Sequence, residues 1–388
     1  MALGGAGLFF GRSIELFKVF GFPIRLDPSW FIVAILLTWT FATNVFPSQV
    51  PGLSPPVYWG MGFAGAIGLF ASVVLHELAH SVVARRFGLT IRGITLFIFG
   101  GVAEMTSEPP SPKAEFWIAS AGPAASLAIA AGVLGVNLIG GLLGLPAAAT
   151  AVLGYLAYAN GMLALFNLIP AFPLDGGRIL RSILWGWKGS LRFATRVTSR
   201  IGGWFGLSLI GLGVLVTVFV PGGFISGFWL FLIGLFVRNA AQMAYQQLLL
   251  RRAFQGEPVS RFMQADPVTV PRQISVAELV KDYIYRYHFK MFPVVDDAGR
   301  LVGCVTTRQV KELPHEEWDR QTAGALALRC GPENTVQADT DAMAALSAMS
   351  RTGVSRLMVV DGDRLLGILA LKDLLRFFSL KMELEEAK

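Results

Sequence analysis

Hydrophobic residues along this chain gather into six long runs, at roughly residues 30–46, 57–84, 116–143, 147–169, 203–220 and 224–245. Each run is near the ~20 residues that an α-helix needs to cross a bilayer. The loops at 47–56, 144–146 and 221–223 contain no lysine or arginine. The alternate connections carry Arg12, Lys18 and Arg25, then Arg85, Arg86, Arg92 and Lys113, then Arg178, Arg181, Lys188, Arg192, Arg196 and Arg200, and finally Arg251 and Arg252. By the positive-inside rule these face the cytosol together with both termini. The segment from Met1 to Arg12 has too short an apolar stretch ahead of its charge for a cleaved signal peptide.

Residues 89–105 are apolar but unlike a spanning helix. They are rich in β-branched residues and phenylalanine and are broken by Gly100-Gly101, which predicts strands in a hairpin. Such backbone dips into a membrane only where protein or water covers it. The two readings are a re-entrant β-hairpin and a peripheral loop lying on the headgroups.

From residue 251 charged residues return at the frequency of a soluble domain, and past 258 the chain repeats itself. Phe292-Pro-Val-Val-Asp-Asp-Ala-Gly-Arg-Leu-Val-Gly303 aligns with Leu357-Met-Val-Val-Asp-Gly-Asp-Arg-Leu-Leu-Gly367, with one residue of slippage in the turn. A helical run precedes each copy, and a short apolar strand and another helix follow, so each is a small α/β unit able to pack on its twin. The expected boundaries are 1–250 for the membrane part and 256–318 and 325–381 for the repeats.

Composition agrees with this division. The 388 residues are 54% hydrophobic and 15% charged, with a mean hydropathy of +0.56, which excludes an ordinary soluble protein. The net charge of +7 reflects the cytoplasmic loops and does not point to nucleic acid. Cys304 and Cys330 lack metal-type spacing and read as free thiols in a reducing compartment.

The chemistry concentrates in the second run. His76-Glu77-Leu78-Ala79-His80 holds two of the four histidines of the chain. On a helix, positions i and i+4 share a face, so both imidazoles can reach one metal ion, with Glu77 beside them. Ionisable groups at that depth are costly and usually functional. A catalytic zinc takes three protein ligands and leaves one position open, and the membrane part offers no third histidine. It does offer Asp175, in Asn167-Leu-Ile-Pro-Ala-Phe-Pro-Leu-Asp175-Gly-Gly-Arg178. Prolines and glycines break the helix there, so a bent backbone can turn the carboxylate toward the metal. The histidines lie about 7–14 Å below Arg85 along the helix, a depth that Asp175 can match.

These two motifs, with Gly100-Gly-Val-Ala-Glu104 and Ala121-Gly122-Pro123-Ala-Ala-Ser126, resemble the site-2 protease family of intramembrane zinc metalloproteases over about residues 10–250. The soluble repeats resemble a pair of cystathionine-β-synthase (CBS) regulatory domains. The resemblance implies a polytopic α-helical membrane protein with about six transmembrane helices and a re-entrant β-hairpin, plus a cytosolic α/β CBS-domain pair in the cell membrane. It implies that His76, His80 and Asp175 ligate one Zn²⁺ and that Glu77 takes the proton of the attacking water and passes it to the leaving amine. Asn167 donates its amide to the developing oxyanion, or else only satisfies a backbone group beside Pro170; Asn160 is a weaker second candidate. The Leu96–Ala103 stretch offers a strand edge to an unwound substrate. Glu104 and Glu108 lie within reach of the entrance or are solvated loop charges. The implied partners are the lipid bilayer and a membrane-embedded protein substrate, such as an anti-sigma or pro-sigma factor.

CBS pairs bind adenine nucleotides through a Gly-h-h-[Ser/Thr]-x-x-Asp pattern, which here is split. The first repeat has Gly303 and Thr306 but Gln309 in place of the aspartate, and the second has Gly367 and Asp373 but Ala370 in place of the hydroxyl. Nucleotide binding through Thr306 and Asp373 therefore stands beside a second reading, a dimerisation or docking module. For the whole chain the alternative is a CBS-gated transporter or channel with an ion site at the His76–His80 helix. A structural zinc pinning two helices leaves Glu77 unused.

Overall fold

The computed structural model describes residues 13–98, 100–105, 108–362 and 364–386. The segment Met1–Arg12, read above against a signal peptide, and the side chain of Glu104 lie outside the described residues. The chain divides into two compact units, one reaching Leu248 and the other running from Leu249 to Lys388.

Among the described residues, six helices are long and apolar enough to cross a membrane: Ser29–Gln49, Pro55–Arg86, Pro112–Leu142, Ala147–Asn167, Leu191–Phe219 and Phe224–Phe254, the last running past the end of the first unit. The fifth begins well before its apolar run. Arg192, Arg196 and Arg200 recur every fourth residue, while Ala194, Thr195, Thr198 and Ser199 between them are buried. One face of this extension is therefore polar and the other packed, which a hydropathy window does not register. Ser190 caps it by accepting a hydrogen bond from the Phe193 N–H. The first span contains a π-helical turn at Phe41–Val45, where Phe41 and Phe46 pack edge-on against Tyr155 of the fourth.

The expected hairpin is present as β3 (Ile91–Phe97) and β4 (Gly100–Met105), and it belongs to a larger sheet. An N-terminal hairpin, β1 (Ile14–Val19) and β2 (Phe22–Leu26), completes four strands in the order β1-β2-β3-β4. Its two-residue turn, Phe20-Gly21, has positive φ at both positions (50° and 86°), the requirement of the tightest hairpin loop. β2 runs parallel to β3, so the first two spans form the connection between them. Phe22, Ile24, Leu26, Ile94 and Leu96 pack with Val74 and Leu78 of the second span. The sheet thus lies directly on the helix that carries the histidines, with β4 at its edge.

The second unit holds two four-stranded sheets built alike. In one, Met291–Val295 pairs antiparallel with Leu301–Thr306, and in the other Arg356–Asp361 pairs with Arg364–Ala370. Val294 faces Gly303 and Val359 faces Gly367, and the register slips immediately after each valine. The repeat seen in sequence is therefore also a repeat of strand irregularity. Cys304 and Cys330 are free thiols, and burial pushes Cys304 up to about 11.

Candidate functional site

His76 and His80 project from the second span, both buried, and Asp175 begins the short helix Asp175–Lys188. The loop before this helix turns sharply through Pro170 and Pro173. A Cβ on Gly176 would overlap the Leu168 carbonyl, and one on Gly177 would overlap Ala171 and Phe172, so the double glycine lets the helix start against the loop. Asp175 is thereby brought to the histidines. Its Oδ2 lies 3.1 Å from Nε2 of His76 and 3.1 Å from Nε2 of His80, and the two Nε2 atoms are 3.2 Å apart.

This triangle is the size of one face of a zinc tetrahedron, since bonds of ~2.0–2.1 Å set neighbouring donors about 3.3 Å apart. Protonation supports the same occupant. His80 Nδ1 is 2.6 Å from the carbonyl of Ile118, which only accepts, so the neutral ring keeps its proton there and turns the Nε2 lone pair inward. His76 Nδ1 is 2.9 Å from the Ser126 hydroxyl, which can accept from it; in the tautomer that donates there, Nε2 is presented in the same way. Two lone pairs and a carboxylate then converge with no proton between them, a repulsive arrangement that a cation resolves. Among the described residues this is the one group of three such side chains able to share a metal ion.

The third span closes the site through Gly122. A Cβ there would overlap Nε2 of both His80 and His76, so only a glycine lets this helix lie against the ligand atoms. The same span supplies the Ile118 carbonyl one turn earlier and Ser126 one turn later.

Glu77 is half-buried, and although its backbone carbonyl accepts from the Ser81 hydroxyl, its carboxylate makes no hydrogen bond among the described residues. It is held from the side by β4: a Cβ built on Gly101 would lie 2.6 Å from Glu77 Cγ. Gly101→Ala should therefore push this carboxylate aside while sparing the ligand triangle. The expected result is undiminished zinc content with cleavage lowered on the order of 10- to 100-fold. Metal analysis and a cleavage assay on the same preparation check it.

The other sequence candidates fall elsewhere. Asn167 ends the fourth span, half-buried, and its side chain makes no hydrogen bond among the described residues. Asn160 is buried and its amide N–H₂ is already committed to Ser72 Oγ at 2.9 Å and the Leu156 carbonyl at 2.8 Å, which removes it as an oxyanion donor. Glu108 is not simply a solvated loop charge, because its Oε2 lies 3.3 Å from Nη2 of Arg181. Arg181 also pairs with Glu115 in the first turn of the third span. Thr306 caps the helix Thr307–Glu312 in a reciprocal box with Gln309, the residue standing where the nucleotide pattern has aspartate. Its hydroxyl donates to the side-chain amide oxygen Oε1 of Gln309 at 2.8 Å. Asp373, in the first turn of Leu371–Glu386, has one buried carboxylate oxygen without a partner among the described residues.

Sequence reasoning missed Ser126, the Ile118 carbonyl, Gly122 as a contact and the Glu115–Arg181 pair. A signal existed for Ser126, which follows Gly122 by four residues on one helix. The carbonyl carries no signal in any side chain.

Comparison with known proteins extends over both units. The family model described as Peptidase family M50 matches residues 64–141 and 136–209, and that of the CBS domain matches residues 259–316 and 332–380. The chain is 37% identical over 367 residues to the putative zinc metalloprotease Rip3 of Mycobacterium tuberculosis, covering 94% of this chain and 92% of that protein. It is 32% identical to the zinc metalloprotease MJ0392 of Methanocaldococcus jannaschii, covering 96% and 98%. Among solved structures, the site-2 protease from Methanocaldococcus jannaschii is similar over 60% of this chain and 95% of that one, with 34% identity and a TM-score of 0.42.

Proposed function

The chain belongs to peptidase family M50, with a C-terminal pair of CBS domains, and from that premise we propose that it cuts a membrane-embedded regulatory protein within or near its transmembrane segment. It is a multi-pass membrane protein and a zinc metalloendopeptidase. Membership of a peptidase family leaves no role for the ion-path reading of the same residues. In this reading residues 1–250 are the protease part, and 256–318 and 325–381 are the two CBS domains.

The observation that carries the proposal is the triangle of His76, His80 and Asp175 beside a carboxylate pinned against a strand edge. Zinc, when bound, acidifies a water and polarises the scissile carbonyl. The histidines and Asp175 hold that ion in one place, with the imidazole rings fixed by Ile118 and Ser126. Glu77 accepts the proton of the attacking water and returns it to the leaving amine. Asn167, whose side chain has no hydrogen-bond partner to give up among the described residues, donates its amide to the developing oxyanion.

A helical substrate hides its carbonyls in its own hydrogen bonds, so a stretch of it unwinds before it is cut. β4 is the outermost strand of its sheet and presents backbone groups to such a stretch beside Glu77. Single-span anti-sigma or pro-sigma factors are suitable partners. The CBS pair is the candidate regulatory part, acting through nucleotide binding or self-association; the Thr306 hydroxyl, one of its nucleotide contacts by pattern, is here bonded to Gln309.

The purified chain, incubated with a single-span candidate and analysed by mass mapping of the fragments, tests the proposal: one internal cut at membrane depth is expected. Asp175→Ala should lower zinc affinity by more than about 100-fold, the upper range for losing a mere supporting hydrogen bond, and should lose cleavage with it. Full zinc occupancy in that variant would overturn the ligand assignment.

A further inference from the structure

On the helix that begins with Asp175, Arg181 meets two acids distant from it in sequence, Glu108 and Glu115. Its side chain is 6% exposed and belongs to the same helix as Asp175. Nε lies 2.6 Å from Oε1 of Glu115, whose side chain is 0% exposed, and Nη2 reaches the same oxygen. Nη2 also lies 3.3 Å from Oε2 of Glu108, whose side chain is 36% exposed. The guanidinium stands 5.3 Å from the ring centre of Phe172 in the loop that delivers Asp175.

Each partner leads to a different part of the site. Glu115 is one helical turn before Ile118, the residue whose carbonyl orients His80. Glu108 is three residues beyond the end of β4, on the connection from that strand to the third span. Asp175 is six residues before Arg181 on one rigid helix. A planar guanidinium can engage two carboxylates at once in fixed geometry, which an ammonium does not. Removing Glu115 would leave the buried Arg181 without its closer partner, which is costly, whereas removing the half-buried Glu108 leaves that pair intact.

We propose that Arg181 is a positioning residue coupling the substrate strand β4 to the metal ligand Asp175. The buried arm to Glu115 fixes the Asp175 helix against the segment that orients His80. The more exposed arm to Glu108 ties the end of β4 to that same helix. A substrate that adds to β4 steadies the strand and, through Glu108 and Arg181, steadies the third ligand; zinc on Asp175 in turn steadies β4, because coupling between two sites is reciprocal. This rests on the reading of His76, His80 and Asp175 as the metal site and of β4 as the docking edge.

The test uses the full chain in lipid nanodiscs, zinc as the probe, and three measurements: zinc release to a chelator, amide exchange in β4, and the thermal midpoint. In the wild type, stripping zinc should speed exchange of the Gly100–Met105 amides. Glu108→Gln should abolish most of that zinc-dependent difference while zinc release and the thermal midpoint stay near wild type, because Arg181 keeps its closer, buried pair with Glu115 and only the half-buried arm is lost. Arg181→Lys, which keeps the charge and the fold but not the fork, should release zinc about tenfold faster and also lose the zinc-dependent difference. A Glu108→Gln chain with the wild-type response of β4 to zinc, or an Arg181→Lys chain with wild-type zinc release, overturns the coupling. All three measurements changing together in both variants, the thermal midpoint included, also overturns it, since a purely structural role does that. A wild-type chain that binds no zinc overturns instead the metal reading beneath it.

Discussion

Glu77→Gln should hold zinc at the wild-type level and lose peptide-bond cleavage by about 10²- to 10⁴-fold, the usual contribution of a positioned acid–base group. The substitution preserves shape. A glutamine fills the same space against Gly101, where the Cγ of Glu77 now lies close to the strand, so β4 and the second span need not move. The ligand triangle is also undisturbed, because Glu77 is bonded to none of its three atoms. What disappears is a carboxylate without a hydrogen bond among the described residues, able to accept a proton and give it back. Metal analysis and fragment mapping on one preparation separate these effects. Cleavage near the wild-type rate would remove Glu77 from the reaction and leave it as a spacer between helix and strand.

Much of the site was legible because its parts obey local rules. His76, Glu77 and His80 sit on one helix, whose period places the imidazoles on one face without further information. Asp175 was legible for a related reason: Pro170, Pro173 and the double glycine announce a backbone that cannot continue straight. The six spans followed from length and hydropathy, but their ends did not. The helix from Leu191 continues along a stripe of arginines with a packed face behind it, where no apolar run exists to be counted. The N-terminal hairpin was hidden differently. Phe20-Gly21 lacks the asparagine or aspartate that usually marks a two-residue turn, and Lys18 and Arg25 made the segment read as a charged loop. Hardest of all was the Glu108–Arg181–Glu115 cluster. Its two acids are 73 and 66 residues from the arginine, and nothing local in either specifies that partner. Pairings of that kind follow from the assembled helices, not from the spacing along one of them.

Gly122→Ala should abolish zinc binding and activity together, although the substitution adds a single methyl group to a good helix-forming position. On an exposed helix the same change is stabilising by about 1 kcal/mol, because alanine costs less backbone entropy than glycine. Here the added Cβ would occupy the space of two ligand atoms, Nε2 of His80 and Nε2 of His76. Neither ring can retreat cheaply. His80 is tied to the Ile118 carbonyl and His76 to the Ser126 hydroxyl, and both anchors belong to the very helix that carries the methyl group. Turning a ring away breaks its hydrogen bond and scatters the triangle; moving the third span away carries both anchors with it. Either way the donors no longer sit about 3.3 Å apart as one ion requires. The expected readout is a folded, membrane-inserted chain with less than about one tenth of wild-type zinc affinity and no measurable cleavage. Gly132→Ala, in the same span but with open space at its Cβ, serves as the control and should keep both. Zinc retained at full affinity in Gly122→Ala would mean that the helix can shift with its anchors as one body, and that the third span, not the ligand rings, is the movable wall of the site.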